Sequence, residues 1–373
     1  MHLINDLESG GAEASLYKLI INEKKHEHFV VSLKGLDFYG NSLIGLGIKV
    51  YTLNINHIIF SVFKFFKVIK IVQEERPDLI QSWMYHSDLL SSLFSLCNGT
   101  KNIFWGIRQA GLSLKDTKLT TLLIAMICRF LSSKIPRKIV CNSKESKDLH
   151  IKIGYNPNKF EIIENGVDLN KFYSDNQKNL RIREQLKIST KTFIFGNIAT
   201  WHEKKDHKNL FEALEIYNNQ QHSDWALLLA GKEMNRENSD LVKELTKRKI
   251  LDNCLLLGER RDLPEIFNSI DVFVLSSRKE SFPNVLIESM ASCVPCISTN
   301  VGAAKRIISD TGWIVPKESP KDLAKALTEV TIQFQDSNKW DERKESCRER
   351  VMKNFDLKFV VDSYQKVWES NVI

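Results

Sequence analysis

Short apolar segments and helix-period segments alternate along nearly the whole chain. In the first half, seven apolar runs of strand length are separated by stretches in which apolar residues recur every three or four positions. The seven runs are MHLIND, HFVVSL, KVYTL, DLIQSW, NIFWGI, KIVCNS and FEIIEN. Helix-period stretches such as AEASLYKLIIN and HSDLLSSLFSLCN lie between them. Apolar strands that alternate with helices predict a parallel, doubly wound sheet.

The alternation stops at a polar stretch, YSDNQKNLRIREQLKIST (173–190), and then restarts. The later apolar runs are TFIFGNIA, WALLLAG, CLLLGE, DVFVLSS, PCIST and GWIVP. We therefore predict an α/β fold of two Rossmann-like domains, residues 1–168 and 192–354, joined by a linker (169–191) with a short helix. The amphipathic C-terminal segment, 355–373, predicts a helix that packs back on the first domain. Ligands of open parallel sheets bind beyond the carboxyl ends of the strands, so we expect the site in a cleft where the two sheets face each other.

The composition is that of a soluble globular protein, with 373 residues, 43% of them hydrophobic and 27% charged. The opening MHLINDLESGG has no basic or apolar region of a secretory signal, and the longest apolar run, LLIAMIC (122–128), is too short to span a bilayer. The lack of a visible signal and the unpaired cysteines together predict a protein located in the reducing cytoplasm. The net charge of +7 lies mostly in the first half, which suits an anionic ligand or membrane surface. No nucleic-acid reader motif appears.

The stretch SMASCVPCISTN places Cys293 and Cys296 at C-x-x-C spacing. A redox pair of this kind needs a helix N-terminus, whose dipole stabilises the thiolate. Here a helical pattern (283–292) precedes the cysteines and a strand pattern follows, so the thiols fall at a helix C-terminus. No second cysteine pair or paired histidine is spaced to complete a zinc site. We interpret both residues as packed thiols.

The loop after the first predicted strand reads ESGGAEAS, not G-x-G-x-x-G. Gly10 and Gly11 allow a tight turn, and the next helix offers its N-terminus to an anion. A turn without a ligand is the alternative. The glycine spacing is wrong for a nicotinamide dehydrogenase, and no acidic residue closes the second strand.

The segment SSRKESFPNVLIESMASCVP carries two glutamates eight positions apart. Glu280 ends the loop after a predicted strand, and Glu288 lies on the following helix, about 80° away around the helix axis. Ser281 is placed to cap this helix, and the backbone N–H groups of residues 282–285 are left for a ligand. Free N–H groups suit a phosphate and two carboxylates suit sugar hydroxyls. Solvated helix charges are the alternative.

This segment resembles the donor-binding signature of the family 4 retaining glycosyltransferases, which have the GT-B fold. That signature is a Glu, seven residues, a second Glu, a helix end of small residues and a proline. Further matches are SGGAE to the family's first glycine loop, ENGVDLNKF to its crossover motif, and KKDHKNLFEAL to the segment with its phosphate-binding lysine. The stretches LLLAG, LLLGERRDLPEIFNSIDVFVLSS and DTGWIVP follow in the family's order. The resemblance implies an N-terminal acceptor domain and a C-terminal nucleotide-sugar donor domain.

The resemblance also implies a role for each matching residue. Glu280 would contact the donor sugar's hydroxyls, Glu288 the ribose, and Lys205 the diphosphate, helped by backbone N–H groups. The residues expected to bind the donor are Gly10, Gly11, Thr200, Lys204, Ser281, Phe282, Asn284, Val285 and Glu288. The candidate catalytic residues are Lys205, Glu280 and His86.

Two of the candidates lie in the first domain. The stretch SWMYHSDL puts His86 at a helix start, facing the cleft, where the family often has a polar residue near the reacting sugar. A local capping role is the alternative for His86. Arg108, in WGIRQA, follows a strand and is a candidate for binding the acceptor or a phosphate. Asn165 and Gly166, in the crossover motif, are interpreted as structural.

The chain departs from the family's pattern at three positions. Thr200 stands where members usually carry an Arg, five positions before Lys205, and Lys204 is the residue that can compensate. Cys293 replaces the usual Gly of the helix end, so we expect this helix to close without a left-handed residue. Arg306 replaces a Glu that is common after the last glycine loop.

The implied reaction moves a hexose or N-acetylhexosamine from a UDP- or GDP-sugar to a glycan or lipid-linked acceptor, with retention, as in capsule or O-antigen synthesis. No D-x-D run is placed to hold a metal, so we expect no metal cofactor, and Lys205 with backbone donors would stabilise the leaving diphosphate. A nucleotide-sugar epimerase of the same fold and a non-catalytic sugar-nucleotide-binding protein are the alternatives.

Two basic and apolar stretches bear on the acceptor. FSVFKFFKVIK (60–70) has Lys64, Lys67 and Lys70 on one predicted helix side. KLTTLLIAMICRFLSSKIPRK is apolar in the middle and basic towards its end. Both predict peripheral contact with the cytoplasmic face of an anionic membrane. Core-packed helices with solvated lysines are the alternative.

Overall fold

The computed structural model describes residues 1–8, 10–55, 61–109, 111–112, 117–220 and 224–372, with the backbone alone at 61–65 and 98. The chain divides into two compact units. The first unit is Met1–Asn165 with Leu357–Ile373, and the second is Gly166–Asp356.

The first unit is built on a parallel sheet that has seven strands within the described ranges. In chain order, β1 to β7 are His2–Ile4, Phe29–Ser32, Lys49–Thr52, Ile80–Trp83, Ile103–Ile107, Lys138–Cys141 and Phe160–Ile162. Their spatial order is β3-β2-β1-β4-β5-β6-β7, so the strand order reverses between β1 and β4. The helices of this part of the chain, α1 to α6, are Gly11–Asn22, Asp37–Gly45, Ser61–Glu75, Tyr85–Asn98, Leu119–Leu131 and Lys144–Lys152.

The second unit repeats the plan with a parallel sheet that has six strands in the described chain. Strands β8 to β13 are Phe193–Ile198, Trp225–Ala230, Cys254–Leu256, Val272–Leu275, Cys296–Thr299 and Trp313–Val315. Their order is β10-β9-β8-β11-β12-β13, so the reversal lies between β8 and β11. Helices α7 to α15 are Asn176–Gln185, His207–Gln220, Ser239–Lys247, Leu263–Ser269, Asn284–Ala291, Ala304–Ile308, Pro320–Phe334, Ser337–Asn354 and Leu357–Glu369.

Each sheet is covered on both faces, which is why its strands read as apolar runs. In β8, Phe193 and Phe195 enter one core cluster of the second unit, whereas Ile194 and Ile198 enter the other. All six residues of this strand are buried. Every predicted strand is present, and the predicted α/β class with two Rossmann-like sheets is confirmed.

The last two helices belong to different units. Helix α14 ends at Asn354, and α15 begins at Leu357 and packs within the first unit, where Trp368 Nε1 donates to Gln81 Oε1 at 3.1 Å. The stretch predicted as a linker, 169–191, lies within the second unit, and its helix α7 packs against α10. Across the described parts of the chain, we find no helix with the length and apolar character needed to cross a membrane.

Candidate functional site

The predicted site residues gather at the two places where strand order reverses. Loops that follow the two central strands of such a sheet diverge, and ligands bind in the crevice that they leave. In the first unit, Gly10 and Gly11 follow β1 and His86 follows β4. In the second unit, Lys205 follows β8 and Glu280 follows β11. Strands β8 and β11 pair directly, which brings the last two residues together.

Lys205 and Glu280 form an ion pair, with 2.7 Å between Lys205 Nζ and Glu280 Oε1. Ser277 Oγ donates to the same carboxylate oxygen at 2.8 Å. The Lys205 side chain remains 31% exposed and the Glu280 side chain 15%. A partly exposed ammonium group can exchange its carboxylate partner for a diphosphate oxygen. The carboxylate can then accept hydrogen bonds from sugar hydroxyls.

The main chain of the loop that carries Lys205 is also hydrogen-bonded to the loop that carries Glu280. Lys204 and Lys205 lie in a short 3-10 turn, Glu203–Lys205. The Arg278 N–H donates to Lys204 O at 2.8 Å, and Ser276 Oγ donates to Lys205 O at 2.9 Å. Ser276, Ser277 and Arg278 are site residues that the sequence does not reveal. The partners of Ser276 and Arg278 lie on a loop that is remote in sequence, whereas Ser277 bonds to nearby Glu280, and no local sequence pattern indicates either kind of contact.

Helix α11 begins at Asn284 with Pro283 as its N-cap, and the Pro283 side chain makes no capping hydrogen bond. Ser281, which the sequence predicts as the cap, lies two residues before this N-cap position. Its carbonyl oxygen accepts a hydrogen bond from the Ala303 N–H at 3.0 Å. The first-turn N–H groups of a helix have no intrahelical partner, so the α11 N-terminus suits a phosphate.

Gly302 holds the Glu280 loop close to the turn after β12. Its φ is +47°, and a Cβ atom at this position would lie 2.5 Å from the carbonyl oxygens of Glu280 and Ser281. Real Cβ atoms do not approach backbone oxygens so closely. Glycine is required here for both the conformation and the contact.

The other donor-binding candidates of α11 are largely buried. Phe282 is 6% exposed and packs edge-on against Phe355, with ring centroids 5.9 Å apart. Val285 packs against the same core, so both residues have their main chain to offer a ligand. Glu288 is 7% exposed and is therefore not a solvated helix charge. Asn284, the first residue of the helix, is half-buried.

The positions that depart from the family's pattern lie in different settings. Thr200 is exposed just after β8, on the loop that leads to Lys205. Its main-chain nitrogen would lie 3.1 Å from a Cβ atom on Gly231, so the ends of β8 and β9 are closely packed. Arg306, on α12, places its guanidinium 5.3 Å from the centre of the Phe355 ring.

The C-terminal end of α11 contradicts one prediction. Cys293 has a φ of +59°, so the helix does close with a left-handed residue, although that residue is not glycine. The Cys293 N–H donates to Met290 O and the Val294 N–H donates to Ser289 O, both at 3.1 Å. These two bonds are a Schellman motif, and satisfying the last carbonyl groups outweighs the strain of a Cβ atom in this conformation.

The thiols near this turn have the environment of packed residues. Cys296 begins β12 and is buried, and burial raises its pKa well above the ordinary value. Burial also raises the pKa of Cys293. A redox-active cysteine needs a lowered pKa, so these thiols lack the activation that disulfide exchange requires.

In the first unit, α1 begins at Gly11 with Gly10 as its N-cap. The carboxylate of Glu13 folds back over this end, because a Cβ atom on Gly10 would lie 2.1 Å from Glu13 Oε2. Burial raises the pKa of Glu13 to about 7, and the neighbouring carboxylates of Asp6 and Glu8 add to the rise. The helix N-terminus predicted to face an anion is therefore covered by its own side chain.

His86 is the second residue of α4, and its Nδ1 lies 3.5 Å from Asn5 Nδ2 at the end of β1. Burial lowers the pKa of His86, as do Lys34 and Lys118, so its imidazole is neutral near pH 7. The N-cap of α4 is Met84, so His86 does not occupy the capping position of this helix. Met84 has a φ of +74° and a ψ of 160°, a strained conformation of the kind found at functional sites.

Arg108 follows β5 and is held by groups of its own unit. Its guanidinium donates to Asn165 Oδ1 and to the Tyr364 hydroxyl, the latter at 2.9 Å. It also lies 4.7 Å from the centre of the Trp83 ring. These contacts tie β5 to the crossover motif and to α15, which favours a structural role for Arg108.

Helix α5 presents an apolar face to solvent. The exposed side chains of this face are Leu119, Leu123, Met126, Ile127 and Phe130, which are between 41% and 68% exposed. The opposite face, with Ala125 and Cys128, is buried. Lys118 and Lys134 flank the helix and are exposed. In the other basic stretch, Phe66 of α3 is 62% exposed, whereas Lys64 lies outside the described side chains.

Two family models match the chain in series. Glycosyltransferase Family 4 matches residues 9–171, and Glycosyl transferases group 1 matches residues 178–346. The chain is 23% identical over 381 residues to the Escherichia coli UDP-Gal:alpha-D-GlcNAc-diphosphoundecaprenol alpha-1,3-galactosyltransferase, which covers 98% of this chain and 95% of the relative. It is 25% identical over 357 residues to the Staphylococcus aureus capsular polysaccharide biosynthesis glycosyltransferase CapM. The match covers 90% of this chain and 88% of the relative.

Solved structures share the fold along the whole chain. Anabaena Alr3699/HepE in complex with UDP-glucose superposes with a TM-score of 0.83 at 19% identity, covering 99% of this chain and 100% of that one. WaaG, a glycosyltransferase involved in lipopolysaccharide biosynthesis, superposes with a TM-score of 0.76 at 13% identity. The superposition covers 98% of this chain and 99% of WaaG.

Proposed function

The chain belongs to the GT-B glycosyltransferases similar to family 4, as the sequence predicts, and we propose that it transfers a hexose or N-acetylhexosamine from a UDP-sugar to a lipid-linked or glycan acceptor. The observation that carries this proposal is the Lys205–Glu280 pair beside the α11 N-terminus, where the strand order of the second sheet reverses. Relatives whose names specify a galactosyl transfer to a diphosphoundecaprenol acceptor and capsular polysaccharide biosynthesis support a role in surface polysaccharide synthesis.

In the proposed reaction, the bond between the anomeric carbon and the β-phosphate oxygen breaks, and its electron pair goes to that oxygen. The acceptor hydroxyl oxygen bonds to the same carbon on the same face and passes its proton to the departing phosphate oxygen, so the configuration is retained. Lys205 leaves Glu280 and neutralises the diphosphate, together with the α11 N-terminus. Donors that are fixed before charge develops lower the barrier, and we propose that they replace a metal ion.

Calorimetry with a panel of UDP- and GDP-sugars in a chelating buffer tests this function. We expect a UDP-sugar to bind with one-to-one stoichiometry and no gain on adding magnesium or manganese. Release of UDP from that donor should require an acceptor, because an epimerase would act on the donor alone. Failure of all donors to bind, with or without metal, would overturn the proposal.

We also propose that the exposed apolar face of α5 contacts an anionic membrane surface. The apolar side chains from Leu119 to Phe130 lie on one face, and Lys118 and Lys134 flank them with positive charge. An amphipathic helix of this kind lies in the interface plane of a bilayer, with its apolar face in the boundary region. Such contact would bring the first unit to a lipid-linked acceptor.

A further inference from the structure

Asp206 and Arg278 form a second ion pair directly beside the Lys205–Glu280 pair. Arg278 Nε lies 2.9 Å from Asp206 Oδ2. Asp206 is the residue after Lys205, and Arg278 stands two residues before Glu280. The two ion pairs therefore link the same two loops, through the consecutive residues Lys205 and Asp206 of the first loop.

The Asp206 side chain is 3% exposed, so its carboxylate has left water and depends on a charged partner. The Asp206 backbone has a φ of +48° and a ψ of 49°, the left-handed conformation that ends the 3-10 turn. Aspartate is among the few residues other than glycine that adopt this conformation readily. The side chain of Asp206 and its backbone thus both fix the direction in which the chain leaves Lys205.

Arg278 is held on several sides. Besides the contact with Asp206, its Nε lies 3.4 Å from Glu318 Oε1 and its Nη1 lies 3.7 Å from Glu203 Oε1. Its own N–H donates to Lys204 O at 2.8 Å. A guanidinium group surrounded by three carboxylates has its charge balanced within the protein. It therefore does not take the place of the arginine that is absent at Thr200.

We propose that the Asp206–Arg278 pair is a positioning device that holds Lys205 in the place from which it binds the diphosphate. This inference rests on the proposed function, because it takes Lys205 as the diphosphate ligand. Arg278 and Asp206 do not touch the donor. They set the separation of the two loops, and through it the position of the Lys205 ammonium group.

A thermodynamic cycle on UDP affinity separates positioning from direct contact. UDP binding is measured by calorimetry for the wild type, Arg278→Gln, Lys205→Ala and the double variant. We expect Arg278→Gln to weaken UDP binding about tenfold in the wild-type background, the size of coupling found between residues in contact. In the Lys205→Ala background, the same change should have no further effect. An equal loss in both backgrounds would show that Arg278 binds UDP itself and would overturn the proposal.

Companion variants separate the charge of the pair from the backbone conformation. Asp206→Gly keeps the left-handed conformation and removes the carboxylate, so it should weaken UDP binding as much as Arg278→Gln does. Arg278→Lys retains a cation within reach of Asp206 and should recover part of the affinity. Lys208→Ala is the matched control, because it removes an exposed cation of α8 that pairs with Glu244 instead. We expect unchanged UDP affinity for that control.

The outcomes are distinguishable. If the wild type binds neither UDP nor pyrophosphate, the proposed function and the positioning inference both fall. If the wild type binds UDP and Arg278→Gln binds it equally well, the positioning inference alone is overturned. A variant that melts at a lower temperature but keeps the wild-type UDP affinity when folded would show that the pair is merely structural, and would also overturn the inference.

Discussion

At the residue scale, Lys205 has one carboxylate partner in its ion pair and is partly exposed, so a diphosphate can compete for it. If Lys205 neutralises the leaving group, Lys205→Ala should raise the barrier to transfer by about 3 kcal/mol and so lower the transfer rate roughly a hundredfold. Initial rates of UDP release in the presence of acceptor measure this effect. The control is Lys208→Ala, which removes a neighbouring charge on α8. Equal rates for Lys205→Ala and the wild type would contradict the role of Lys205.

Cys293 has a strained backbone conformation that a glycine would adopt without strain. Its φ of +59° places a Cβ atom in the left-handed region, where L-residues are strained by about 1 kcal/mol. Cys293→Gly should therefore raise the free energy of unfolding by about 1 kcal/mol in urea titrations. Cys293→Ala is the matched control, since it removes the thiol and keeps the Cβ atom. A glycine variant no more stable than the alanine variant would count against this explanation.

The sequence singles out residues that stand in a local motif. Lys205 and Glu280 each lie in a recognisable segment, and the structure pairs their side chains, although their roles stay predictions. The N-cap residue of α11 is Pro283 and not Ser281, and the left-handed Cys293 was unexpected because a hydrogen-bond motif overrode the residue's preference. Asp206 and Arg278 were missed because their contact joins two loops that are remote in sequence.

At the element scale, the strands could be predicted because a parallel strand covered on both faces is a short apolar run between polar breaks. The sequence does not encode strand order in a comparable pattern, so the reversals between β1 and β4 and between β8 and β11 come from the structure. The predicted helix 355–373 is in fact α15, Leu357–Glu369, with its own start after α14. Helix boundaries depend on capping contacts that are set by tertiary packing.

The exposed face of α5 leads to a membrane-binding prediction. Leu123→Glu with Phe130→Glu places charge on the apolar face, and should abolish sedimentation of the protein with anionic vesicles at low salt. The matched control is Leu180→Glu, which changes a 56% exposed leucine on α7 of the second unit. Wild-type binding should weaken with salt, because lysines near the surface contribute through Coulomb attraction. Equal binding by the double variant, or by neutral vesicles, would contradict the proposed membrane face.

At the scale of the whole molecule, buried neutral histidines in both units link stability to pH. Burial lowers the pKa of His150 to about 4 and of His207 to about 3. In the unfolded chain these histidines take up protons with a pKa of about 6.5, whereas in the folded chain they stay neutral until a much lower pH. Stability is therefore lost as the pH falls below about 6.5. For His150 the loss reaches about 2 kcal/mol at pH 5.

His150→Gln isolates this effect from the carboxyl groups. Burial raises the pKa of Asp88 and Glu13, so these two groups act with the opposite sign and gain relative stability on acidification. We expect the glutamine variant to lose less free energy of unfolding than the wild type between pH 8 and pH 5, by about 2 kcal/mol. The difference between the two proteins at pH 8 gives the packing cost alone. Parallel pH profiles would contradict the neutral, buried state of His150.

The central claim is that Lys205 and Glu280 separate on donor binding, one to the diphosphate and the other to the sugar. The most direct measurement compares UDP with the matching UDP-sugar by calorimetry, in the wild type and in Glu280→Gln. The wild type should bind the UDP-sugar more tightly than UDP. Glu280→Gln should abolish that difference without weakening UDP, because Lys205 is then released from its partner. Equal weakening of UDP and the UDP-sugar by Glu280→Gln would contradict the account.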